Sequence, residues 1–426
     1  MLGVGSAAVR VSRRRSLKSK VKMGGGQTSA TRQTCLRGCA KYCATPMLDR
    51  LAPQLDLTLV ADDAPPPPAS LVLRHYAVSV VLYGTLLTLL FLNPWFKSLL
   101  RIRAGGVTAG SFYGLLYLAY IVVALPVYLA WRPRSLHNSK NLLLARLLAR
   151  VWGRAGDRFR RRPAVPLGVS YRETHALTFL FIKLFFGPLM VNSVFQEWNQ
   201  IHYVVRQFNA ASAWTALDCG YLIFVSAVFL LDSLIFVVGY HTEAGCLRNE
   251  VRYVETRPLA ILVCLACYPP FNLPTLNLFG PSFDNPRIVL LADPHGLLTW
   301  LCRLAAVACL LLLLSASYSL FTRASNLTHR GLVTWGPYRY LRHPGYLAKN
   351  LFWLMTILPV LVVNPARPDF HWGEYLLFAG GRLAGFAAWT ALYVLRALTE
   401  EQLLSRDPAY TAYCHRVRYR FIPGVW

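Results

Sequence analysis

Eight apolar runs recur along this chain of 426 residues, at roughly 76–96, 107–131, 175–195, 214–240, 258–279, 298–321, 350–366 and 375–397. Each is close to the ~20 residues an α-helix needs to cross the hydrocarbon of a bilayer. Lipid satisfies no backbone N–H or C=O, so runs of this length must bond internally as helices. Charged residues are 15% of the chain, against about 25% in ordinary soluble domains. The expected fold class is all-α, a multi-pass helical integral membrane protein with about eight transmembrane helices. Pro269, Pro270 and Pro274 interrupt the fifth run, which is expected to be kinked or re-entrant.

The formal charge of +26 invites a nucleic-acid reading, but its distribution argues against one. Basic residues gather in the N-terminal arm and in alternate loops, which is how a chain signals topology. With the N-terminus inside, the inner loops hold Arg158, Arg160, Arg161 and Arg162; Arg248, Arg252 and Arg257; Arg323, Arg330, Arg339 and Arg342. The tail is then inside too, with Arg406, Arg416, Arg418 and Arg420, whereas the outer loops carry Arg206 and Arg287. Only the short first loop, with Lys97, Arg101 and Arg103, disagrees. The expected location is an integral membrane, with the polar motifs described below facing the cytosol or an equivalent inner compartment. No nucleic-acid partner is expected.

Residues 1–48 contain no Asp or Glu, so residues 1–70 read as a basic targeting or disordered arm, closed by the stiff run Pro65–Pro68. Residues 71–297 read as an N-terminal transmembrane region and 298–426 as a C-terminal membrane domain. Within the loop after the second run, Leu144, Leu147, Leu148 and Val151 repeat at helical spacing, beside Arg146, Arg150, Arg154 and Trp152. A basic helix over about 139–162, lying in the headgroup plane, is expected there.

The ten cysteines suggest neither disulfides nor a metal site. Cys264 and Cys267 have a redox-like spacing but sit in an apolar run, where small buried hydrophobes are the expected reading. Cys35, Cys39 and Cys43 miss the radical-cluster spacing by one residue. Among charges inside the runs, Lys183 and Asp232 lie at matching depth and are expected to pair across neighbouring helices. Arg303 and Arg382 are expected to snorkel outward.

Chemistry concentrates at Gly336-Pro337-Tyr338-Arg339-Tyr340-Leu341-Arg342-His343-Pro344-Gly345-Tyr346, answered one hairpin later by Arg396, Glu400 and Glu401. Pro344 disfavours helix at His343 and suits the first turn of the next helix, so His343 should sit on a turn with a helix start behind it. The N–H groups of that start can receive an anion. Glu400 and Glu401 point about 100° apart on their helix, so they cannot share one role. One is expected to face the pocket and the other to hold the turn, with Arg396 one turn before Glu400.

These residues resemble a known family. Leu332-Val333-Thr334 followed by Gly336-Pro337-Tyr338-Arg339-Tyr340, then Arg342-His343-Pro344 and Tyr346, is similar to the signature of the isoprenylcysteine carboxyl methyltransferase superfamily, which includes phospholipid N-methyltransferases. Arg396 with Glu400 and Glu401 resembles its second motif, and Tyr410, Tyr413, Val417, Arg418, Arg420, Phe421, Ile422 and Pro423 resemble its tail. The resemblance covers about 298–426 and implies a methyltransferase core there. It implies S-adenosyl-L-methionine as cofactor, bound by Tyr338, Arg342, His343, Pro344, Tyr346, Glu400 and Glu401. It implies a lipidic or prenylated acceptor drawn from the bilayer, with Arg396 and Glu400 in the catalytic roles and no metal. Ala348 and Lys349 depart from the family, which often has Gly at the first of these positions.

The reaction expected is methylation of a lipidic acceptor, most like carboxyl O-methylation of a protein-S-isoprenylcysteine. Phospholipid N-methylation is the nearest alternative. An NADPH-dependent reductase of sterol-type substrates, with a similar Arg-His-Pro turn, is another. A non-enzymatic transporter lacks support, since neither inverted repeats nor several paired midplane charges are evident.

Overall fold

The computed structural model describes residues 65–160, 168–209, 216–279, 296–361 and 371–425. The expectations for the arm up to residue 64, including Cys35, Cys39 and Cys43, and for Arg161, Arg162 and Arg287 lie outside the described residues, as does the Arg158 side chain. The described residues are mostly helical and fall in one compact unit.

Pro65–Pro68 lead into α1 (Ala69–Leu92), which stops at Asn93. The Asn93 side chain accepts from the N–H groups of Trp95 and Phe96, and Pro94 opens α2 (Pro94–Leu100) without an N–H to lose. A hairpin of β1 (Arg103–Ala104) and β2 (Val107–Thr108) follows, and the Thr108 hydroxyl caps α3 (Ala109–Trp131). Next come α4 (Lys140–Phe159), α5 (Tyr171–Asn209) and α6 (Ala216–His241), with α5 and α6 packed along each other. Then β3 (Tyr253–Val254), α7 (Pro258–Leu265), α8 (Leu273–Phe279) and α9 (Leu297–Leu320) precede β4 (Thr328–His329), which pairs antiparallel with β3. The chain closes with α10 (Pro344–Ile357), α11 (Trp372–Leu404) and α12 (Pro408–Arg416).

Six of these helices are long and apolar enough to cross a membrane: α1, α3, α5, α6, α9 and α11. The sequence had suggested eight. The fifth run is not one helix but α7 and α8, of 8 and 7 residues, separated by a turn that contains Pro269 and Pro270. Two prolines in a row remove two backbone donors, so an α-ladder cannot run through them. The seventh run gives α10, whose 14 residues rise only about 21 Å before a 3₁₀ turn at Leu358–Leu361. Large apolar side chains stand outward on the long helices, Val122 at 71% and Leu377 at 81% exposure. Such faces suit hydrocarbon rather than water.

Two expected charge placements are corrected. Lys183 and Asp232 do not pair: Asp232 accepts from Ser317 and takes Lys349 at 3.2 Å, whereas Lys183 sits 4.7 Å from the centre of the Phe179 ring. The first apolar residue does not mark the depth of Lys183, because α5 begins earlier and runs 39 residues, about 58 Å, well beyond a bilayer's thickness. Arg303 does not simply snorkel, since its Nη1 lies 2.6 Å from Asp218 Oδ1. Arg382 is buried, its guanidinium 5.0 Å from the Phe378 ring. The basic helix exists as α4, but its apolar residues divide: Leu144 and Leu147 are buried, and Leu148, Val151 and Trp152 are exposed.

The packing that positions the site joins both halves of the chain. Val228 of α6, Ala306, Leu310 and Leu313 of α9, and Ala348 and Phe352 of α10 form one buried cluster. Gly239 lets α6 approach the turn after α9, because a Cβ there would run into the carbonyl oxygen of Ala324. Cys264 and Cys267 are free, buried thiols.

Candidate active site

The loop leading to the site bends at Gly336, whose φ of +61° is costly for a residue with a Cβ, and a Cβ there would also strike the Ser319 hydroxyl. A 3₁₀ turn (Gly336–Arg339) carries the chain on to His343. His343 is non-helical, with φ −128° and ψ 57°, and Pro344 is the first residue of α10. The tail is pinned to this corner: the N–H groups of Arg342 and His343 donate to the carbonyls of Tyr419 (3.0 Å) and Arg420 (2.9 Å). The His343 side chain does not cap α10; Pro344 has no N–H and the Leu347 N–H donates to the His343 carbonyl at 3.2 Å, which leaves the N–H groups of Gly345 and Tyr346 without an intrahelical partner.

α11 brings the other half. Glu401 is buried and takes three partners: Arg342 Nη1 at 2.9 Å and His343 Nε2 at 3.2 Å on Oε1, and Arg420 Nε at 2.9 Å on Oε2. Glu400, about 100° away around the helix, accepts the Tyr346 hydroxyl at 2.6 Å. The Tyr346 ring lies parallel to His343 (centroids 5.5 Å apart) and against Tyr393 (5.4 Å). Arg396 lies between Tyr346 and Tyr268, its guanidinium 5.3 Å from each ring centre, and donates to the side-chain oxygen of Asn326. The Asn326 amide nitrogen donates to the Tyr268 hydroxyl at 2.9 Å.

All eight residues singled out in the sequence are thus placed. His343 meets Glu401, Tyr346 meets Glu400, the His343 and Tyr346 rings stack, Pro344 follows His343 as the first residue of α10, and Arg396 faces Tyr346. Arg342 reaches Glu401 and also donates from Nη2 to the Arg418 carbonyl at 2.8 Å, so it holds the tail as well as the acid. The Tyr338 carbonyl accepts the Tyr413 hydroxyl at 2.7 Å. Burial pushes the Tyr338 phenol up, and the nearby negative charge of Glu400 adds to it.

Further ion pairs brace the ends of these helices near the site. Arg257 pairs with the buried Glu255 at 2.5 Å, donates to the Thr399 carbonyl at 2.8 Å, and bonds the Gln402 side chain. Asp407 takes His329 Nε2 at 2.9 Å and Arg252 at 3.5 Å. The hydrogen bond from His329 holds the Asp407 carboxyl below its ordinary range, although burial opposes it.

Sequence reasoning missed Tyr268, Asn326 and Tyr393, and it missed that Lys349 pairs with Asp232 one turn from Tyr346. Tyr268 and Tyr393 carried no signal beyond being polar-tipped aromatics in apolar runs. Lys349 was noted as a departure, yet its partner lies 117 residues away. Two crevices, of about 390 and 290 Å³, lie among α1, α2, α5 and the turn at Pro270; no residue of this site lines either. No family model, curated protein or solved structure matches the chain.

Proposed function

We propose that this chain is a membrane-embedded, S-adenosylmethionine-dependent methyltransferase acting on a lipidic acceptor, its reaction most like carboxyl O-methylation of a protein-S-isoprenylcysteine. The observation that carries the reading is the meeting of the His343–Pro344 corner with Glu400 and Glu401, beside an arginine clamped between two tyrosine rings. The resemblance over 298–426 supplies the cofactor, and the donor set fits it. The uncapped first turn of α10 suits a carboxylate, and Glu400 suits an α-amino group or ribose hydroxyls.

When bound, S-adenosylmethionine supplies an electrophilic methyl group. The residues contribute position and environment. Glu401 fixes His343 and the tail through three contacts, so it shapes the cradle rather than offering a free oxygen. Tyr346 orients Glu400 through their hydrogen bond. Arg396 now binds a side-chain oxygen of Asn326, and an acceptor carboxylate offers the same chemistry with a full charge. Such an acceptor arrives ionised and needs no general base, so the gain in rate comes from alignment. The buried aromatic surround keeps water from competing for the methyl group. The basic inner loops orient the site toward the cytosol or an equivalent compartment.

Isothermal titration of the purified chain with S-adenosylhomocysteine and with NADPH tests the reading. Binding of S-adenosylhomocysteine supports it; binding of NADPH alone assigns a reductase. A labelled-donor assay offering a prenylcysteine or phosphatidylethanolamine then separates O- from N-methylation.

A further inference from the structure

A second charged corner lies outside the proposed active site. Lys140 opens α4, Lys183 lies on α5, Glu243 follows α6, and Arg330 follows β4. Lys140 pairs with Glu243, whose Oε1 also accepts the Val251 N–H at 3.1 Å. The ammonium groups of Lys140 and Lys183 stand 4.6 and 4.7 Å from the centre of the same ring, that of Phe179. Arg330 is 3% exposed; its Nη1 donates to the carbonyls of Thr242 (3.0 Å) and Asn249 (3.2 Å), and its Nε to the Ser325 hydroxyl at 2.9 Å. Its Nη2 is buried and has no hydrogen-bond partner among the described residues.

The contacts among the described residues set one carboxylate against three cations here. Burial pushes the Glu243 carboxyl up, but the charges of Lys140, Lys183 and Arg330 outweigh it and hold it at about 2. One anion neutralises Lys140. Lys183 and Arg330 feel the charge of Glu243 but make no ion pair with a carboxylate among the described residues, and the Nη2 edge of Arg330 lacks a hydrogen-bond partner, in a place where an unsatisfied charge is expensive. The corner lies beside α4, whose outward face combines Leu148, Val151 and Trp152 with Arg146 and Arg154, the pattern of a helix at a headgroup layer.

We propose that Lys183 and Arg330, with Lys140 beside them, form a binding site for a phosphate anion, the headgroup of an acidic phospholipid being the source that the exposed apolar and basic face of α4 favours. A phosphate oxygen completes the hydrogen bonding of Arg330 Nη2, and a second oxygen neutralises Lys183. The site is independent of the methyltransferase reading, because its test reads binding and not turnover.

The test is thermal unfolding of the delipidated full chain in an uncharged detergent, titrated with dioleoyl phosphatidate, dioleoyl phosphatidylcholine or inorganic phosphate. Phosphatidate is expected to raise the midpoint saturably and phosphatidylcholine to leave it unchanged. Lys183→Gln should weaken the apparent affinity at least tenfold, with Lys183→Arg close to wild type. Arg146→Gln with Arg154→Gln, on the exposed face of α4, should keep the saturable shift. A saturable shift from inorganic phosphate that Lys183→Gln weakens supports the same site with a free anion as its ligand. Absence of any saturable shift, an unchanged shift in Lys183→Gln, or loss of the shift only in the α4 variant overturns the proposal.

Discussion

The Tyr346 hydroxyl donates to Glu400 across 2.6 Å, tying the first turn of α10 to the last turns of α11. A hydrogen bond to a charged group contributes about 1.5–3 kcal/mol. Tyr346→Phe is expected to weaken S-adenosylhomocysteine binding roughly tenfold by releasing Glu400 from its pose. Glu400→Gln should weaken it more, since the charge itself is lost. Titration of both variants and the double variant measures the coupling; additive losses would show that the two side chains act separately.

Glu401 behaves differently because three cationic or polar partners converge on it. Glu401→Gln removes the anion from the buried Arg342, which for a buried pair costs ~3–5 kcal/mol. The expected outcome is a lowered unfolding temperature and faster proteolysis of residues 417–425, in addition to lost donor binding. Unchanged stability with binding lost would assign Glu401 to the donor instead.

Lys349 and Asp232 join α10 to α6 at 3.2 Å, with Ser317 of α9 also on the carboxylate. Asp232→Asn strands the ammonium and should destabilise by ~3–5 kcal/mol. The double variant Asp232→Leu with Lys349→Met removes both charges and is expected to recover most of that stability. Denaturant unfolding in detergent checks it; equal loss in single and double variants would deny the pair a joint role.

Asp407 sets a pH dependence. Its ordinary value is 3.8, and the hydrogen bond from His329, with help from the Ala409 N–H and Arg252, depresses it in the fold. A depressed carboxyl stabilises the fold fully above its unfolded value and loses that contribution as pH falls through the folded value. Unfolding midpoints should therefore be insensitive to this group from pH 7 to 5 and fall below about pH 4. Asp407→Asn should remove this step; an unaltered acid limb in the variant would exclude it.

Arg396 sits between two tyrosine rings with a side-chain amide oxygen on its guanidinium. Arg396→Lys keeps the charge but loses the planar fork. It is expected to raise KM for a carboxylate acceptor at least tenfold while S-adenosylhomocysteine affinity changes less than threefold. Equal losses in both would place Arg396 on the donor.

Much of the site was legible because its chemistry is local. The His343–Pro344 corner followed from what proline does to the residue before it and to a helix start. The separate roles of Glu400 and Glu401 followed from the 100° step between neighbours on a helix. The seventh apolar run misled because apolar length does not show where a helix ends, and α10 stops after 14 residues. Lys183 misled because an apolar boundary does not mark its depth: α5 begins inside the polar sequence before it.

The sequence by itself determined that the chain builds long apolar helices, that polar groups concentrate near residues 336–346 and 396–401, and where prolines interrupt the pattern. Those are properties of single segments, set by transfer energy and backbone geometry. Tertiary structure alone decided that Lys349 meets Asp232, that Arg396 lies between Tyr268 and Tyr346, and that Arg420 returns to Glu401. Pairings across 19 to 128 residues leave no period in a sequence, because a charge or ring finds its partner only after the helices have packed.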